Sequence, residues 1–211
     1  LRFLEDHCEF KQLTIKLLSA CEEFDCGKDD LNDFFLNASA AYSRDLLGKS
    51  YCFTLSSNPA IIVCAFTLSN DSIKMSHLPN ARKKRVNKNV ARLKQKNSYP
   101  AVIIGRLGVS KNFQGLNVGA ELMDFIKAWF IDSGNKTGCR FVVVDAYNEE
   151  RPIRYYQKCG FDFLIPDKTA ELKYTRNTVI KDAVDLTEPK EEDAVFLDTR
   201  LMFFDLIRLR C

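Results

Sequence analysis

The chain has 211 residues, 46% of them hydrophobic and 28% charged, the proportions of a soluble globular protein. That length suits one large domain or at most two small ones, and the apolar share excludes wholesale disorder. No apolar run approaches the roughly 20 residues that cross a bilayer, and no signal-like segment opens the sequence. A cytoplasmic protein without a membrane partner is therefore expected.

Eight cysteines are present (Cys8, Cys21, Cys26, Cys52, Cys64, Cys139, Cys159 and Cys211), with no Cys-x-x-Cys among them. Only His7 and His77 are available to complete a zinc site. Reduced thiols and no metal are the expectation. The formal net charge of +3 conceals an asymmetry: from Ser72 to Ala120 there are eleven Lys and Arg and no Asp or Glu. The rest of the chain is net acidic. A basic centre in such a protein points to a polyanionic partner.

In chain order, Phe10 to Leu18 reads as a first strand. A turn at Phe24-Asp25-Cys26-Gly27 follows, and Leu31, Phe34, Phe35, Ala38, Ala41 and Tyr42 then recur at helical spacing. Ser50 to Leu55 and Ile61 to Leu68 read as a hairpin, with a short strand at Ser72 to Met75. Within the basic segment, Val86, Val90 and Leu93 suggest a short amphipathic helix. Ala101 to Val109 is a central strand. The apolar face from Leu116 to Phe130 is a long helix that ends near Ser133-Gly134-Asn135. Phe141 to Ala146 is a buried strand. Pro152 opens a helix that Gly160 stops. Phe161 to Ile165 and Arg200 to Leu209 complete the strands. A single α/β domain over 10–209 is the simplest organisation, with a basic insertion at about 80–98 and an acidic loop at about 182–198.

The chemistry concentrates at Leu107-Gly108-Val109-Ser110-Lys111-Asn112-Phe113-Gln114-Gly115-Leu116-Asn117-Val118-Gly119-Ala120. There a strand ends, a glycine-bearing turn follows, and a helix begins. Unpaired N–H groups and the positive end of a helix dipole converge on such a spot, which suits a pyrophosphate. Neither the Rossmann pattern nor a Walker loop is matched.

This stretch resembles the coenzyme-binding motif of the GCN5-related N-acetyltransferases (GNAT), Gln/Arg-x-x-Gly-x-Gly/Ala. Gln114 opens it and Gly119 closes it, while Asn117 stands where the family has its middle glycine. Phe141-Val142-Val143-Val144-Asp145-Ala146 resembles the family's next strand. Arg154-Tyr155-Tyr156-Gln157-Lys158-Cys159-Gly160-Phe161 resembles its closing Tyr-x-x-x-Gly-Phe signature. A narrower resemblance runs from Phe24 to Leu209. Phe24-Asp25-Cys26-Gly27 with Leu31 and Phe34-Phe35, Tyr99-Pro100-Ala101, and Arg200-Leu201-Met202-Phe203-Phe204 look like segments of the acetyltransferase toxins of bacterial toxin–antitoxin pairs.

The resemblance implies a mixed, mostly antiparallel twisted sheet flanked by helices. It implies acetyl transfer from acetyl-coenzyme A, as cosubstrate, to the amino group of an aminoacyl-tRNA. A cognate antitoxin and a homodimer are the protein partners it suggests. The coenzyme residues are then Leu107, Gly108, Val109, Gln114, Gly115, Leu116, Asn117, Val118, Gly119 and Ala120. Tyr156 becomes the general acid that protonates the departing thiolate. For tRNA, the basic segment offers Lys83, Lys84, Arg85, Lys88 and Arg92. No general base stands out, since Asp145 and His77 read more simply as surface groups. An α-amine, with a pKa of about 7.7–8.0, needs less help than a lysine. Two other readings share these residues: an acetyltransferase acting on a protein or small-molecule amine, and a nucleic-acid-binding module without catalysis.

Overall fold

The computed structural model describes residues 2–179 and 196–210. Most of the acidic loop expected at 182–198 lies outside them. The elements in order are α1 (Phe3–His7), β1 (Cys8–Gln12), α2 (Ile15–Leu18), α3 (Asp29–Asp33), a π turn (Phe34–Ala38), α4 (Ser39–Arg44), β2 (Lys49–Leu55) and β3 (Asn58–Lys74). There follow α5 (Asn80–Val86), β4 (Ser98–Val109), α6 (Val118–Ile131), β5 (Phe141–Tyr147), α7 (Glu150–Lys158), β6 (Asp162–Phe163), α8 (Lys168–Val179) and β7 (Thr199–Asp205). Two compact units share them: residues 1–70 with 102–137, and residues 71–101 with 138–211. Strands β3 and β4 run through both. Among the described residues seven strands make a mostly antiparallel sheet with flanking helices, the fold class expected from the sequence.

In the first unit the strand order is β1-β2-β3-β4. Its register is held in part by a buried polar pair, Ser50 Oγ and Thr67 Oγ1 at 2.7 Å, which face each other across β2 and β3. A one-residue slip would bury both hydroxyls without a partner, so the pair favours one alignment. Phe24, Phe35, Phe66, Leu122, Met123 and Ile126 fill this core. The first strand stops at Gln12, earlier than the apolar run suggests. The Thr14 hydroxyl accepts the Leu17 N–H and caps α2, turning Ile15 to Leu18 into a helical turn. The helix expected from Leu31 to Tyr42 is present, but it is continuous only through the π turn at Phe34–Ala38.

In the second unit the order is β4-β5-β7-β6. Its core gathers Ile73, Met75, Val86, Tyr99, Phe141, Val143, Leu164, Ile165, Tyr174 and Phe203. Several boundaries differ from the expected ones. The strand expected at Ser72 to Met75 is the tail of β3, which ends at Lys74. The strand at Phe161 to Ile165 shrinks to Asp162–Phe163, and the last strand gives way to a 3₁₀ turn at Leu206–Leu209. The Val86, Val90, Leu93 stripe is not one helix, because α5 ends at Val86. Val86 is buried and Val90 packs on the core, but Leu93 stands fully exposed at 101%.

Helix α8 has no counterpart among the elements expected from the sequence. It is fastened by Glu171, whose carboxylate takes the Arg200 Nε–H at 2.6 Å and also accepts the Leu201 N–H. Arg200 further donates to the carbonyls of Ile165 and Pro166 and stacks 4.4 Å from the Phe163 ring. Burial raises the Glu171 carboxyl, against the lowering effect of these bonds. A buried ion pair of this kind survives because its remaining lone pairs and protons are satisfied.

Candidate active site

Each unit carries part of the expected site. In the first, β4 ends at Val109, and the Ser110 N–H donates to the Val63 carbonyl at 2.9 Å. A 3₁₀ turn, Lys111–Phe113, leads to Gln114. The Gln114 side chain faces back into the protein: its Nε2 donates to the carbonyls of Cys26 at 2.9 Å and Val109 at 3.0 Å. Gln114 therefore braces the loop. Gly115, Leu116 and Asn117 are exposed at the start of α6. Gly115 has φ +83°, and a Cβ there would meet no atom within 4 Å, so its face is open for close approach of a ligand.

Asn117 occupies the left-handed region at φ 63°, ψ 5°, and no side-chain hydrogen bond caps α6 there. This explains how the motif runs without its middle glycine, since Asn is the non-glycine residue that tolerates this conformation best. Val118 is buried, and Gly119 and Ala120 are half-buried in the first turn of α6. An anion placed at the start of this 14-residue helix meets the positive end of its dipole, where the Ala120 N–H donates to the Asn117 carbonyl at 3.0 Å. The loop fits a pyrophosphate.

Gly108 has a different reason for being glycine. A Cβ on it would lie 3.0 Å from Cys26 Sγ and 3.3 Å from Phe24 Cζ. The end of β4 is thus pressed against the turn at Phe24–Gly27, and Leu107 and Val109 flank that contact half-buried.

In the second unit, α7 delivers Tyr156. Pro152 sits in the helix's first turn, where a missing N–H costs nothing, and Gly160 at φ +84° turns the chain out. A Cβ at Gly160 would come within 3.2 Å of Phe204, so the turn is tight as well as left-handed. The Phe161 N–H donates to the Tyr156 carbonyl at 3.0 Å. The Tyr156 ring packs against Phe161 (5.6 Å) and Tyr155 (4.9 Å). Its hydroxyl makes no hydrogen bond to any described residue. Burial raises the Tyr156 phenol well above its ordinary range, so it stays protonated at neutral pH.

Asp145 is exposed on β5, and His77 is exposed in a 3₁₀ turn. Asn148 is a tether, donating to the carbonyls of Asp198 and Leu197, each at 2.8 Å.

The basic segment is also in the second unit, and it is anchored. Arg82 donates to the carbonyls of Leu164 and Phe163, and Arg85 pairs with Asp162 at 2.6 Å. The Tyr99 hydroxyl donates to Asn87 at 2.6 Å. Lys83 is half-buried, whereas Lys84, Lys88, Arg92, Lys94 and Lys96 are exposed. Arg85, one of the residues expected to meet tRNA, thus has a fixed protein partner.

Residues 78–162 match the acetyltransferase (GNAT) domain. That match covers less than half of the chain, from just before α5 to the start of β6. Among solved structures it is similar to AtaT complexed with acetyl-methionyl-tRNAfMet: 18% identity, TM-score 0.62, covering 96% of this chain and 97% of that one. It is similar to a tyrosine-to-phenylalanine mutant of KacT: 16% identity, TM-score 0.61, covering 97% and 98%. It is also similar to such a mutant of the AtaT toxin bound to the C-terminus of the antitoxin AtaR and acetyl-CoA: 18% identity, TM-score 0.56, covering 97% of both chains. At these identities the likeness establishes the fold.

Proposed function

We propose that this chain transfers the acetyl group of acetyl-coenzyme A to the α-amino group of an aminoacyl-tRNA, in the manner of a translation-blocking toxin. The observation that carries the chemistry is Tyr156: a phenol on the Tyr-x-x-x-Gly-Phe helix, packed against Tyr155 and Phe161, with its hydroxyl unengaged by the described residues. The neutral amine attacks the thioester carbonyl, and the C–S bond breaks as the C–N bond forms. Tyr156 gives its proton to the departing thiolate, the amine's proton leaves to solvent, and solvent returns one proton to the Tyr156 phenolate. The α6 loop holds the pyrophosphate through Gly115, Leu116, Asn117, Val118, Gly119 and Ala120, with Gln114 bracing it from behind. Leu107, Gly108 and Val109 at the end of β4 supply main-chain groups to the acetyl and pantetheine amides.

Two things support tRNA as the acceptor. AtaT, a protein of the same fold, is found with acetyl-methionyl-tRNAfMet. The segment from Lys83 to Lys96 also exposes Lys84, Lys88 and Arg92 from a firmly anchored base, which suits a phosphate backbone. A proteinaceous antitoxin is the matching partner in this reading, as AtaR is for AtaT. The test is release of free coenzyme A on adding charged tRNA. Release with charged tRNA and none with the same tRNA deacylated is expected. Equal release with both, or none with either, would overturn the assignment.

A further inference from the structure

The geometry points to Asp25 as a positioning residue for the coenzyme loop, acting through the turn at Phe24–Gly27. This rests on the reading of the α6 loop as the pyrophosphate site. Three separate contacts tie that turn to the loop. The Lys111 N–H donates to the Asp25 carbonyl at 2.9 Å, and the Lys111 ammonium pairs with Asp25 Oδ2 at 2.6 Å. Gln114 Nε2 donates to the Cys26 carbonyl at 2.9 Å.

The turn is itself fixed by the carboxylate. Asp25 Oδ1 accepts the Gly27 N–H at 2.8 Å and the Asn32 Nδ2–H at 2.9 Å, while Asn32 Oδ1 accepts the Cys26 N–H at 2.9 Å. One side chain thus sets the Cys26 carbonyl that Gln114 needs and grips the start of the loop through Lys111. Gln114 is the last residue before the exposed Gly115–Asn117 edge, so a displaced Cys26 carbonyl misplaces the donors that meet the pyrophosphate. The spacing between the turn and the loop in sequence is 86 residues from Asp25 to Lys111, which is why no local motif shows it.

The proposal is tested by steady-state kinetics with two acetyl donors. S-acetylpantetheine lacks the pyrophosphate, and acetyl-coenzyme A carries it. Asp25→Ala is expected to raise KM for acetyl-coenzyme A about tenfold with kcat largely kept, and to leave kcat/KM for S-acetylpantetheine nearly unchanged. Asp25→Asn keeps the acceptor oxygen for Gly27 and Asn32 and is expected to lose less. Lys111→Met combined with Asp25→Asn is expected to cost no more than either alone, because both remove one ion pair. Equal losses with both donors would mean a general folding defect and would overturn the positioning role. Unchanged KM for acetyl-coenzyme A in Asp25→Ala would overturn the proposal alone. Failure of the unaltered protein to bind acetyl-coenzyme A in calorimetry would overturn the reading of the loop and the proposal with it.

Discussion

In the role proposed for Tyr156 two demands meet that usually conflict. A general acid must give up its proton in the transition state, yet burial holds this phenol protonated. The surroundings that raise the phenol also raise the basicity of a thiolate formed beside it, which offsets part of the conflict. Replacing Tyr156 with Phe keeps the ring contacts with Phe161 and Tyr155 and removes only the proton. Turnover is expected to fall roughly 10²–10⁴-fold while acetyl-coenzyme A affinity is kept, as measured by kcat against a calorimetric Kd. The raised phenol also has a pH consequence. Its protonated form persists above the ordinary tyrosine value of about 10, so kcat should not decline through loss of this acid between about pH 7 and 9.5. A falling limb in that window that vanishes in Tyr156→Phe would contradict the raised phenol.

Asp25 titrates at the other end of the scale. The Lys111 hydrogen bond, followed by those from Asn32 and Gly27, lowers it to about 2. A depressed carboxylate stabilises the fold above its unfolded value of 3.8 and loses that contribution as pH falls through about 2. Urea midpoints measured from about pH 5 to pH 2 should therefore fall more steeply for the unaltered protein than for Asp25→Asn. Parallel curves would show that the pair adds nothing to stability.

Among the elements, the junction into α6 is the one where sequence and backbone explain each other. Asn117 stands in a left-handed conformation that costs most residues about 1–2 kcal/mol. Asn117→Gly should therefore be neutral or mildly stabilising, and Asn117→Val should cost about 1–2 kcal/mol in chemical denaturation. The same departure from the family motif is visible in the sequence, and the φ angle gives its reason. By contrast, α8 is not legible there. Its anchor is a single buried carboxylate whose partner, Arg200, lies 29 residues away, and no pattern in Lys168 to Val179 announces that. Glu171→Ala would strand the Arg200 charge in the interior. A loss of about 3–5 kcal/mol is expected, measured as the shift in unfolding free energy.

The first strand and the Val86, Val90, Leu93 stripe depart from the sequence expectation for related reasons. Apolar spacing does not show the local bonds that end an element: the Thr14 cap in one case, the turn after Val86 in the other. The loop into α6 and the helix that carries Tyr156 are readable because each is written in a short run of consecutive residues. The brace at Asp25 is not, because it joins distant segments by main-chain carbonyls that any sequence would offer.

For the molecule as a whole, charge does what local motifs cannot. The basic segment is held by Arg82, Arg85 and Val86, which leaves Lys84, Lys88 and Arg92 to face outwards. Changing those three together to Ala should weaken binding of charged tRNA and leave acetyl-coenzyme A binding alone. The slope of log affinity against log salt should become shallower by about 0.7–0.9 for each phosphate that is no longer neutralised. Indifference to both the substitution and salt would leave the segment a solvated surface. The assignment of the acceptor is tested most directly by following the acetyl group. Bulk aminoacyl-tRNA is incubated with isotopically labelled acetyl-coenzyme A, the ester bonds are hydrolysed, and the released amino acids are identified by mass spectrometry. Label on the α-nitrogen of one or a few amino acids, absent with Tyr156→Phe, is the expected result. Label found only on protein or free small amines, with none on amino acids released from tRNA, would contradict it.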